Sequence, residues 1–214
     1  SDTDAACRKL VADLGAAGVL RPTGEGEGGE RLDVRRLCLA REILARHDGL
    51  ADFAFAMQGL GTGAISLFGT DAQKAAWLPK TRSGAAIAAF ALTEPQSGSD
   101  VANSTMTAVR DGDDYVLNGE KTWISNGIEG SCFAVLVKTD TGIEPRHKGM
   151  SLFIAEKGPG FNVSRKLEKL GYKGIDTGEL QFDGVHVPAE NLIGAEEGRG
   201  LQQILAGLEL GRIN

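Results

Sequence analysis

The sequence predicts an α+β chain of three successive parts. Residues 1–86 form an N-terminal helical domain, 87–196 an antiparallel β-barrel or sandwich domain, and 197–214 the start of a further helical bundle. Three observations predict this. Apolar residues recur at helical spacing before residue 86. Short runs rich in Val, Ile, Phe and Thr, separated by Gly-containing turns, follow it. Helical spacing then returns after Gly200.

Taken in order, Cys7, Leu10, Val11 and Leu14 fall on one helical face, and Gly15 and Gly18 weaken the helix behind them. DVRRLCLAREILAR, residues 33–46, predicts a second helix with Asp33 as its N-cap. Residues 50–68 carry little charge, so that helix is expected to be buried. Thr70 and Gln73 fit a capping box, and the helix through Trp77 is expected to end near Pro79, which has no N–H to give. Strands are expected over Thr105–Arg110, Tyr115–Leu117, Cys132–Thr139, Met150–Glu156 and Leu180–Val187, with turns at Asp111-Gly112 and Asn118-Gly119. Leu201, Ile204, Leu205 and Leu208 carry the last helix, which the sequence leaves without a cap at Asn214; a piece of a longer protein is expected.

Composition excludes several functions. A net charge of −6 gives no cationic surface for nucleic acid or anionic membrane, and neither partner is expected. No apolar run approaches the roughly 18–20 residues that cross a bilayer, and the N-terminus lacks a signal-peptide pattern, so a soluble intracellular protein is expected. Cys7, Cys38 and Cys132 are far apart with no C-x-x-C, and His47, His147 and His186 stand at no helical metal spacing, so no metal site is expected. No G-x-S-x-G occurs. Gly24–Gly29 matches G-x-G-x-x-G but has no strand before it, and Glu25 and Glu27 would oppose a pyrophosphate; a surface loop is the better reading.

Two polar clusters remain. In FALTEPQSGSDVAN, residues 90–103, Glu94 and Asp100 invite reading as an acid/base pair, and Thr93, Ser97 and Ser99 as a hydroxyl cradle; ordinary turn bonding is the alternative. The second cluster is KTWISNG, residues 121–127.

The ordered set A-L-T-E-P-x-x-G-S-D, N-G-x-K-x-W-I-S-N-G, KGMSLFI (148–154) and the run from Leu170 to Gly194 resembles the acyl-CoA dehydrogenases, over most of the chain from about residue 5. The resemblance implies a FAD site between the β-domain and C-terminal helices. Phe90, Leu92, Thr93, Gly98, Ser99, Trp123, Ile124 and Ser125 would line it: Thr93 and the Leu92–Thr93 N–H groups as donors to the ring, Pro95 and Gly98 shaping the loop, Ser99 at the phosphates or pantetheine arm, Trp123 an apolar plane, and Ser125 near N5. Donors fixed where negative charge gathers would favour the reduced ring. Ser99 and Arg212 would contact an acyl-CoA substrate. Glu94 and Asp100 are expected to be structural, Asp100 through Asx-type bonds.

The implied reaction is α,β-dehydrogenation, with an electron-transfer flavoprotein as acceptor and a homotetramer as the assembly. The base would lie beyond residue 214; Gly211 stands where a minority of the family place it, and Glu209 is on another helical face. A cytoplasmic location is expected if the source is bacterial, the mitochondrial matrix if eukaryotic. An acyl-CoA oxidase, a flavin monooxygenase-like relative, and a non-catalytic or heteromeric subunit of the same fold are the alternatives.

Overall fold

The computed structural model describes residues 2–24 and 32–213; most of the glycine-rich run, from Glu25, lies outside them. Four helices come first: α1 Asp2–Ala16, α2 Val34–His47, α3 Gly49–Phe68 and α4 Asp71–Arg82. Seven strands follow: β1 Ala88–Ala91, β2 Thr107–Asp111, β3 Asp114–Ser125, β4 Cys132–Lys138, β5 Met150–Ala155, β6 Phe161–Lys166 and β7 Thr177–Pro188. Helix α5, Gly200–Ile213, closes the described chain.

The helices start as the sequence predicts. Asp33 accepts from Arg35 N–H, and the Thr70/Gln73 capping box is formed in both directions. The expected stop at Pro79 is corrected: α4 runs through it to Arg82. Pro79 sits in the last turn, where one missing backbone bond costs least, and the Thr81 hydroxyl bonds back to the Leu78 carbonyl at 3.1 Å.

The strands form one curled sheet in the order β1-β4-β2-β3-β7-β6, with β5 on the other edge of β4. Most pairings are antiparallel, but β1 and β2 both lie parallel to β4, so the sheet is mixed. The turn expected at Asn118-Gly119 is a bulge inside the long strand β3, whose register against β7 shifts between Leu117 and Gly119. Gly119 takes φ 138°, and a side chain there would place its Cβ 2.9 Å from Met106 Cα.

Two strands escaped the sequence pattern. β1 reads AAFA, poor strand composition; it is small because α3 presses on it, a Cβ on Gly61 lying 2.6 Å from that of Ala88. β6 is mostly exposed, so little apolar alternation marks it.

β4 and β5 are buried on both faces. Phe133, Val135, Val137 and Phe153 fill the inside of the curled sheet with Tyr115, Leu117, Leu180 and Phe182. Cys132, Ala134, Leu136, Met150, Leu152 and Ile154 face the helices and meet Ile65, Trp77, Leu78 and Ile204. That double burial explains their near-continuous apolar runs.

Candidate functional site

The two polar clusters meet. After β1 the chain leaves the sheet at Leu92, and Thr122 N–H donates to the Thr93 carbonyl at 2.9 Å. Beside this bond Lys121 reaches back, its Nζ donating to the Leu92 carbonyl at 3.1 Å and to Glu94 Oε1 at 2.7 Å. Lys121 and Glu94 are fully buried, with side chains 0% and 1% exposed.

Glu94 is accordingly a scaffold. Its carboxylate accepts from Thr105 N–H at 2.6 Å, Met106 N–H at 3.2 Å and the Gln96 amide at 2.7 Å. Burial pushes its pKa up, but the Lys121 charge and these donors outweigh burial and hold the carboxyl below its usual range. The turn Glu94–Ser97 is closed by two backbone bonds of 3.0 Å. Gly98 and Ser99 stand exposed at its tip, while Ser97, which the family reading did not single out, is buried and donates to the Asp100 carbonyl at 2.7 Å. The Asx-type role expected of Asp100 is corrected: its carboxylate makes no cap bond, and its carbonyl does the work.

A second bulge, between Lys121 and Ile124, displaces β3 against β7. It carries Trp123 at φ 59°, a conformation that costs a bulky residue on the order of 1–3 kcal/mol. The indole is 57% exposed, between buried Thr122 and buried Ile124. Behind it the chain is tied down: Asn126 Nδ2 donates to the Ala88 carbonyl at 2.9 Å, and Asp176 accepts from Ile128 N–H at 2.6 Å. A strained backbone, held from both sides, thus presents a flat ring outward.

The other named residues divide. Thr93 and Ser125 are half-buried, and among the described residues neither the N–H nor the hydroxyl of Thr93 has a hydrogen-bond partner. Ser125 is paired across the sheet with Thr177, whose buried hydroxyl has no partner either. Phe90 and Leu92 pack partly buried against the helix side of the sheet, and Ile124 packs into its interior. Arg212 is exposed in the last turn of α5, which packs on α3 and β5.

Sequence reasoning gave Lys121 no role; a lysine inside a strand of otherwise apolar inward positions was its only signal. It also missed a cavity of about 250 Å3 lined by Leu37, Phe53, Met57, Leu60, Tyr172 and Leu210. Those walls come from α2, α3, α5 and a distant loop, and only the fold assembles them.

Comparison with known proteins decides what this arrangement belongs to. Residues 2–85 match the acyl-CoA dehydrogenase N-terminal domain and residues 89–185 the acyl-CoA dehydrogenase middle domain. The chain belongs to the acyl-CoA dehydrogenase family. Among its relatives, mitochondrial isovaleryl-CoA dehydrogenase of Pongo abelii is 38% identical over 96% of this chain and 48% of its own length. The crystal structure of an acyl-CoA dehydrogenase from Geobacillus kaustophilus is 39% identical, with a TM-score of 0.85 over 99% of this chain and 57% of that one. An acyl-CoA dehydrogenase from Bacillus anthracis, complexed with FAD, is 37% identical with a TM-score of 0.85, covering 96% and 35% of the respective chains. The chain thus spans about half the length of the acyl-CoA dehydrogenases that it matches.

Proposed function

We propose that these residues form the β-domain wall of a FAD-dependent acyl-CoA dehydrogenase, acting in α,β-dehydrogenation of an acyl-CoA thioester. The observation that carries the reading is the exposed Trp123 on its strained backbone, one residue after the Thr122 N–H that holds the Thr93 carbonyl, with the Thr93 N–H and hydroxyl unpartnered among the described residues. A flat heteroaromatic ring edged with carbonyl acceptors matches that surface: an apolar plane for its face and donors for its rim. When bound, FAD supplies the acceptor that takes the substrate's β-hydrogen with its electron pair.

The chain's own residues bind and orient. Thr93 and the Leu92–Thr93 backbone offer donors to the pyrimidine edge, Trp123 covers one ring face, and Ser125 offers a hydroxyl at the inner edge. Ile124, buried in the sheet interior, supports that wall from behind, and Phe90 adds apolar lining on the helix side. Gly98 lets the exposed turn approach a phosphate, to which Ser99 donates. The apolar cavity between α2, α3 and α5 takes the acyl chain, with Gly211 in its wall and Arg212 next in sequence holding the CoA end. Glu94 is no base, since burial and its donors occupy it; the α-proton is taken by a carboxylate outside residues 1–214. The complete protein is a homotetramer and passes its electrons to an electron-transfer flavoprotein.

Titration of the full-length apoprotein with FAD tests this. Trp123→Ala and Thr93→Val are expected to weaken retention about tenfold or more and to shift the bound flavin's visible spectrum. Unchanged affinity and spectra in both variants would sink the assignment.

A further inference from the structure

Lys121 occupies a telling place relative to Thr93. Its ammonium donates to the carbonyl of Leu92, which is the oxygen of the same peptide unit whose N–H belongs to Thr93. A cation bound at an amide oxygen draws charge across the amide and makes its N–H a stronger donor. The Thr93 N–H has no acceptor among the described residues, and the Thr93 carbonyl is held by Thr122 N–H at 2.9 Å. The Leu92–Thr93 peptide is therefore polarised from behind at its carbonyl, and the following Thr93–Glu94 peptide is anchored at its own carbonyl.

Stability alone is a poor reason for this arrangement. A wholly buried ion pair repays its desolvation only with good geometry, and apolar replacements of similar volume are often as stable. What an apolar pair cannot do is place a positive end behind a backbone donor. The negative end is spread over Glu94, whose second oxygen accepts from Thr105 N–H at 2.6 Å and the Thr105 hydroxyl at 3.1 Å.

We infer that Lys121 is a positioning residue that polarises the Leu92–Thr93 peptide, so that the Thr93 N–H binds the reduced, more negative flavin edge better than the oxidised one. This rests on the reading that Thr93 faces the flavin. Lys121 itself touches neither cofactor nor substrate.

The test uses the full-length protein, with Lys121→Met, Glu94→Gln and the double variant K121M/E94Q. In the apoprotein, the Thr93 amide proton is expected to resonate downfield in the wild type and to move upfield in K121M and in the double variant. In the FAD-loaded protein, K121M is expected to lower the affinity for reduced flavin relative to oxidised about tenfold, about 30 mV for a two-electron couple. E94Q removes the negative partner and is expected to shift the potential the opposite way or leave it unchanged. A purely structural pair would move both single variants in the same direction, and that result overturns the inference. So does an unmoved Thr93 amide. Should K121M fail to fold, the double variant, which leaves no buried charge, decides by the same two readings. A wild type that binds no FAD would refute the proposed function, while the apoprotein amide shift would still decide the polarisation.

Discussion

Thr122 donates its backbone N–H to the Thr93 carbonyl at 2.9 Å, across 29 positions of sequence that include all of β2. That bond makes a single surface of two motifs, and it places an exposed indole two residues after a fully buried lysine. Much of what can be tested follows from how differently those neighbours are housed.

The two tryptophans report on two environments. Trp77 is 6% exposed between helices and sheet, and Trp123 is 57% exposed. Acrylamide should quench a large share of wild-type emission. Trp123→Phe should leave a blue-shifted band that acrylamide barely touches. Equal quenching in the two proteins would contradict the outward placement of Trp123.

Lys121→Met leaves Glu94 buried without its counterion and should cost about 3–5 kcal/mol in urea unfolding. Adding Glu94→Gln should recover most of that loss, because the stranded charge goes with it. A double variant no more stable than K121M would show that the charge was not the cause.

The same pair sets an acid limit. Glu94's folded pKa is depressed, so its stabilising contribution is complete above the unfolded value of about 4.3 and is lost as pH falls through the folded value. The wild-type urea midpoint should therefore fall between about pH 5 and pH 3, and K121M/E94Q should fall less over that range. Parallel profiles would assign the acid sensitivity elsewhere.

Thiol reactivity should be selective. Burial, aided by nearby carboxylates, raises Cys7 to about 11, and burial raises Cys132 to about 12, whereas Cys38 is only half-buried. At pH 8, iodoacetamide should label Cys38 in the folded protein and reach Cys7 and Cys132 only after unfolding. Prompt labelling of Cys132 would be incompatible with its place at the start of β4.

Gly119→Ala combines a positive φ with a clash against Met106 backbone and should cost about 2–3 kcal/mol. Gly112→Ala shares the positive φ but meets nothing within 4 Å, so it should cost about half as much. Similar losses at both would remove the steric part of the argument.

The sequence disclosed those features that local physics determines. Asp33 and Thr70/Gln73 start helices because caps act within one turn, and Asp111-Gly112 turns a hairpin through glycine's freedom. What it hid depends on distant neighbours. AAFA is a strand only because Gly61 of α3 leaves room for nothing larger. Asn118-Gly119 reads as a turn, yet Met106 and β7 hold it in a strand. In the candidate site, the motifs singled out Thr93 and Trp123, and the bond from Thr122 to Thr93 joins the two stretches that carry them. The role of Lys121 was not, because it lies in a contact with Leu92 that only the folded chain makes.

Gln73 carries a consequence for the two halves of the fold. Its side-chain oxygen accepts from Thr70 N–H at 3.0 Å and Gly194 N–H at 3.2 Å, while its nitrogen donates to the carbonyls of Glu190 at 2.6 Å and Leu192 at 2.7 Å. A residue in the first turn of α4 thus also holds the turns that follow β7. A chain cut at the boundary between helices and sheet would leave donors and acceptors stranded on both pieces. The two regions are separable in sequence, but as a mechanical object they share a rivet, and neither is complete without the other.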